Sequence, residues 1–128
     1  MSTVFIVALQ AFQSLLRKSA RGAKVINVSS EGGCISKSVG SFGDYGGLPY
    51  IVSKAGLNQV SKGLAVDYEK EPIIIVSLAP GWVKTDMAKD LGRITVEESA
   101  STFVQSVNKL TKKDSGGYFD VDLTPFPY

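Results

Sequence analysis

The sequence predicts an α/β layer architecture built on a parallel sheet, and three observations carry that expectation. Helical and strand-like segments alternate in the order helix, strand, helix, strand, helix, strand. Residues 73–78 include the unbroken apolar run Ile73, Ile74, Ile75 and Val76 followed by Leu78, the mark of a strand covered on both faces. With 128 residues, 44% apolar and 20% charged, the chain can bury one core, so residues 1–128 are read as one domain or a piece of one.

The elements follow in order. Residues 3–18 contain Val4, Ile6, Val7, Leu9, Ala11, Phe12, Leu15 and Leu16 without Gly or Pro, which predicts a helix with two covered faces. Gly22 is expected to cap it. Residues 24–28 are β-branched at three positions, Val25, Ile26 and Val28, and predict a buried strand. Residues 29–49 are rich in Ser and Gly and read as a long irregular loop, of a length that is usually functional or mobile. Over 50–70, Ala55, Leu57, Val60, Leu64, Ala65 and Tyr68 recur at helical spacing, and Glu71-Pro72 ends the helix. After the strand at 73–78, Ala79-Pro80-Gly81 turns the chain. Thr95-Val96-Glu97-Glu98 is a capping box opening a third helix, with Val96, Phe103, Val104, Val107 and Leu110 at its apolar positions. A last short strand is expected over 118–121, after Gly116-Gly117.

Composition excludes several function classes. The chain has no histidine, so neither a Ser-His-Asp device nor a His-containing zinc site can be built from it. Cys34 is the only cysteine and forms no internal disulfide. A net charge of +2, with basic residues scattered, gives no footprint for nucleic acid or an anionic membrane. The apolar stretch near the N-terminus, about nine residues, is far short of a membrane span. Arg17, Lys18 and Arg21 follow that stretch rather than precede it, against a signal peptide, and a cytoplasmic location is expected.

Chemistry must therefore run on Ser, Tyr, Lys, Asp or Glu. Tyr50 and Lys54, four residues apart, share one helical face. An ammonium beside a phenol favours the phenolate, which suits a tyrosine to general acid–base work. A serine hydroxyl nearby, from Ser29-Ser30 at a strand's carboxyl end, would stabilise charge on a carbonyl oxygen. Each signal alone has an ordinary reading: a helix surface, a strand-end cap, a turn at Pro80-Gly81.

In combination they resemble the short-chain dehydrogenase/reductase family. The resemblance is carried by Ile26-Asn27-Val28-Ser29-Ser30, by Tyr50-Ile51-Val52-Ser53-Lys54-Ala55 and by Pro80-Gly81-Trp82-Val83-Lys84-Thr85-Asp86-Met87. Within the family, the long insert before Tyr50, the Thr95–Ser99 segment and the tail Gly116-Gly117-Tyr118-Phe119-Asp120 are similar to the C-factor/sniffer-like carbonyl reductases. The resemblance implies a partial Rossmann-like, doubly wound sheet and an NAD(P)-dependent oxidoreductase, with NADP slightly favoured. The substrate is then a small carbonyl or alcohol compound. Tyr50 would exchange a proton with the substrate oxygen and also contact the cofactor, and Lys54 would hold the nicotinamide ribose and favour the phenolate. Ser30, more than Ser29, would orient the carbonyl. Pro80, Gly81 and Val83 would line the nicotinamide, with Thr85 offering a hydroxyl to the cofactor. Cys34 and the loop from Gly40 to Gly47 would flank the substrate, or serve only as loop filler.

The resemblance has a boundary. Family members open with a strand and a Gly-rich turn that holds the pyrophosphate, whereas this sequence contains no Gly-x-Gly. It aligns from the family's middle helix onward, with the family's catalytic Asn at or near Met1. The expectation is thus the C-terminal catalytic half, lacking the N-terminal dinucleotide-binding half and leaving the strand at 24–28 an open edge. The alternative reading is a non-catalytic member, either inactive or acting as an assembly module. Homo-oligomer contacts would then run through the helices at 3–18 and 50–70.

Overall fold

A computed structural model describes residues 2–19, 22–37 and 47–128. Three helices, α1 (Ser2–Arg17), α2 (Leu48–Asp67) and α3 (Val96–Lys109), alternate with three strands, β1 (Ala23–Val28), β2 (Ile73–Leu78) and β3 (Tyr118–Phe119). The sheet has the order β1-β2-β3 and both pairings are parallel. β1 and β2 are in register from Ala23 opposite Ile73 to Val28 opposite Leu78, and Ser77 and Leu78 face Tyr118 and Phe119. All three carboxyl ends therefore lie along one edge of the sheet.

β2 is the centre, as its apolar run predicts. Ile73, Ile75, Val76 and Leu78 are fully buried, each such side chain contributing roughly 1.5–3 kcal/mol. Leu9 of α1 and Ala65 of α2, with Tyr68 just beyond α2, pack with Ala23, Ile73 and Ile75 into one core cluster. A second cluster, Cys34, Ala79, Tyr118 and Phe126, lies past the carboxyl ends of β1 and β2.

The structure corrects four sequence expectations. α1 does not have two covered faces: Leu9 is buried, but Val4, Val7, Phe12 and Leu15 are exposed among the described residues. Periodicity marks a face as apolar without naming its cover. Gly22 does not cap α1, which ends at Arg17 with Lys18 and Ser19 bonding back to Leu15 and Leu16. Its positive φ of 78° serves the entry into β1 instead. α2 begins at Leu48 and ends at Asp67, not 50–70. Pro49 fits its first turn, where a missing N–H costs nothing, and the Tyr68 N–H closes it onto the Leu64 carbonyl at 2.9 Å. β3 stops at Phe119 rather than 121. The Asp120 N–H turns to the Thr124 carbonyl at 2.8 Å, and the chain returns antiparallel at Pro125.

The capping box at α3 forms as expected: Glu98 N–H donates to Thr95 Oγ1 at 3.1 Å, and Thr95 N–H to Glu98 Oε2 at 2.8 Å. The outer side of β1 pairs with no strand among the described residues. No helix among the described residues is long and apolar enough to cross a membrane.

Candidate active site

The site is built where the parallel strands end. Val28 closes β1, and the chain passes through Ser29 and Ser30 into a 3-10 turn, Glu31–Gly33. Lys54 reaches back from α2 and donates from Nζ to the Val28 carbonyl at 2.9 Å. Its ammonium lies 5.6 Å from the centroid of the Tyr50 ring. Helical spacing and this bond together bring Tyr50, Lys54 and the Ser29-Ser30 step to one place. Burial lowers the Lys54 pKa from the ordinary lysine value. One of its three N–H donors is committed to Val28, and two remain for a ligand.

The two serines differ. Ser29 is sealed, 2% exposed, with Oγ donating to Asn58 Oδ1 at 2.6 Å. Ser30 is half-buried and caps the 3-10 turn, its Oγ accepting the Gly32 N–H at 3.1 Å. An accepting hydroxyl still has its own proton to give. The Ser30 carbonyl receives the Tyr118 hydroxyl and the Gly33 N–H, the latter at 2.9 Å.

After β2 the chain turns through Pro80 and Gly81, whose φ of 79° favours glycine. A Cβ there would also lie 2.9 Å from Ile94 Cδ1. Ser99 of α3 donates to the Pro80 carbonyl at 2.7 Å. Val83 pairs with Ile94 in an isolated parallel bridge. Exposed Thr85 bonds within its own loop, donating to the Val83 carbonyl and accepting the Ala88 N–H, both at 3.4 Å. Cys34 is buried, its thiol donating to the Pro127 carbonyl at 3.0 Å, so the tail, not the loop alone, covers it. Most of the loop assigned to the substrate pocket, Gly40 to Gly46, lies outside the described residues, as does Met1.

The sequence reading gave several site-supporting residues no role of their own. Asn58 holds the junction together, accepting from Ser29 and donating from Nδ2 to the Gly33 carbonyl at 3.3 Å. Its signal was present: Tyr50, Lys54 and Asn58 are spaced by four, a polar line down a helix. Gly33 presses so close to α2 that a Cβ would lie 2.9 Å from the Lys54 carbonyl carbon. Tyr118 and Ser99 stand in the tail and Thr95–Ser99 motifs, but their partners, the Ser30 and Pro80 carbonyls, lie at long sequence separations that no local pattern reveals.

The short chain dehydrogenase family model matches residues 1–95. The chain is 29% identical over 122 residues to C-signal of Myxococcus xanthus, covering 94% of this chain and 71% of that protein. Carbonyl reductase Sniffer of D. melanogaster superposes with a TM-score of 0.87 at 35% identity, over 96% of this chain and 52% of that one. An NADPH-bound carbonyl reductase from chicken fatty liver superposes with a TM-score of 0.83 at 32% identity, again over 96% and 52%. The chain spans about half the length of most of the curated relatives it matches.

Proposed function

Since this chain belongs to the short-chain dehydrogenase family, we propose that it carries the catalytic half of an NAD(P)-dependent oxidoreductase acting between a carbonyl and its alcohol, with Tyr50 as acid–base. The observation that carries this reading is the Lys54–Val28 bond, which places a cation beside Tyr50 at the carboxyl end of β1, one step from Ser29-Ser30. A nicotinamide dinucleotide, when bound, supplies the hydride.

The donor set fits the nicotinamide-ribose end of such a cofactor. Lys54 has two N–H donors left for ribose hydroxyls, and the Pro80-Gly81-Val83 backbone would line the nicotinamide. Thr85 adds a hydroxyl. NADP is favoured over NAD, in keeping with the NADPH-bound relative.

In reduction, the Tyr50 hydroxyl gives its proton to the substrate oxygen, and in oxidation the phenolate takes it back. Lys54 sets a positive charge beside the ring, 5.6 Å from its centroid. Ser30 donates a hydrogen bond to the same oxygen as charge develops on it. Ser30 suits this better than Ser29, whose proton is already held by Asn58.

A second reading is favoured by the exposed Val4, Val7, Phe12 and Leu15 on α1 and by the open edge of β1: the chain serves in assembly with a second copy or another chain. Titrating NADPH and NADH, with nicotinamide fluorescence for binding and light scattering for mass, separates the two. Saturable binding with reduction of a small aldehyde supports the enzyme; a defined oligomer without binding supports assembly.

A further inference from the structure

A side-chain bond joins the two turns of the site to each other. Trp82 Nε1 donates to Glu31 Oε2 at 2.8 Å, across 51 positions of sequence. Glu31 directly follows Ser30 and opens the 3-10 turn, and Trp82 directly follows Gly81. Both residues are half-buried.

The bond answers a structural need. Gly81 sits at positive φ and has no side chain to hold it, so its placement depends on its neighbours. On one side, Ser99 holds the Pro80 carbonyl. On the other, the Trp82 carbonyl takes the N–H groups of Arg93 and Ile94 at 2.7 and 3.1 Å, while the Trp82 indole is held by Glu31. The Arg93 guanidinium lies 5.6 Å from the Trp82 ring, and Lys37 Nζ lies 3.6 Å from Glu31 Oε1. The contacts from Ser99, Arg93 and Ile94 keep the Pro80–Val83 segment within its own side of the site. The Glu31 contact reaches across to Ser30.

We propose that Glu31 and Trp82 are positioning residues, whose bond fixes the Ser30 turn against the Gly81 turn. The group that orients the substrate oxygen and the backbone that lines the nicotinamide are thereby held in one register. The proposal rests on the proposed function, and neither residue is assigned contact with the reacting atoms. They act through Ser30 and Gly81.

Trp82 is the only tryptophan in the chain, so its emission reports the contact without any turnover. Glu31→Ala removes the acceptor, whereas Glu31→Gln keeps an acceptor oxygen. We expect Glu31→Ala to raise acrylamide quenching of Trp82 about twofold as the ring loosens from its partner. We also expect it to weaken NADPH binding and lower kcat by about 10- to 100-fold, the effect of a misplacement near 1 Å. Glu31→Gln should stay close to the parent in all three. If Glu31→Ala frees the ring but leaves NADPH affinity and kcat unchanged, the contact is merely structural and the proposal fails. It fails equally if Glu31→Gln is as impaired as Glu31→Ala, because charge rather than the bond would then matter. Should Glu31→Ala not fold, Trp82→Phe removes the donor and is read by nicotinamide fluorescence and kcat with the same expected losses. Absence of NADPH binding by the parent chain overturns the proposed function and this proposal together, a result distinct from a defect confined to the variants.

Discussion

Lys54 and Val28 are joined by a 2.9 Å hydrogen bond from the side-chain ammonium to the last carbonyl of β1. A helix cation is thereby fixed at the sheet's carboxyl edge, where ligands of parallel α/β folds bind. Lys54→Met keeps the length of the side chain and removes both charge and donors. Nucleotide affinity should fall by about tenfold or more, the scale of one lost charge-assisted contact, as checked by nicotinamide fluorescence.

Lys54 also sets a pH dependence. Burial lowers its pKa below the unfolded value. Below the lowered value, both states hold the proton. Between the two values, the unfolded chain binds more protons than the folded one, so the Lys54 contribution to stability rises with pH across that alkaline window. Nucleotide binding should move oppositely, weakening as Lys54 loses its charge. Denaturant melts and titrations of the parent and of Lys54→Met across that window check both, and the variant should lack both trends.

Asn58 is 2% exposed and satisfies the Ser29 hydroxyl and the Gly33 carbonyl at once. Asn58→Leu strands two buried polar groups, at about 1–3 kcal/mol each. A loss of about 2–6 kcal/mol in urea unfolding is expected.

Gly33 lies against α2 with no room for a methyl group, because the nearest atom to a Cβ on the main chain is the Lys54 carbonyl carbon at 2.9 Å. Gly33→Ala must push the 3-10 turn away from the helix. We expect about 1–3 kcal/mol of destabilisation and a measurable loss of nucleotide affinity, since the displaced turn carries Ser30 and Glu31.

Much of this layout was legible. The apolar run at Ile73–Leu78 announced the central strand, Thr95 and Glu98 announced the start of α3, and the spacing of Tyr50 and Lys54 placed both on one helical face. These signals are local, set by backbone periodicity and capping chemistry. Glu31–Trp82 and Tyr118–Ser30 lie 51 and 88 residues apart, and such contacts exist only once the sheet has brought three strand ends together. The α1 periodicity was equally readable, but Phe12 and Leu15 carry no information about what lies over them.

The central claim is that Tyr50 moves the proton, with Lys54 fixed beside it and Ser30 bonding the same substrate oxygen. Its most direct test compares the parent with Tyr50→Phe, measuring NADPH affinity, thermal midpoint and aldehyde reduction on the same preparations. Loss of the hydroxyl alone should lower turnover by about 100-fold or more while leaving the thermal midpoint unchanged and NADPH binding still saturable. Turnover by Tyr50→Phe equal to that of the parent would contradict the account.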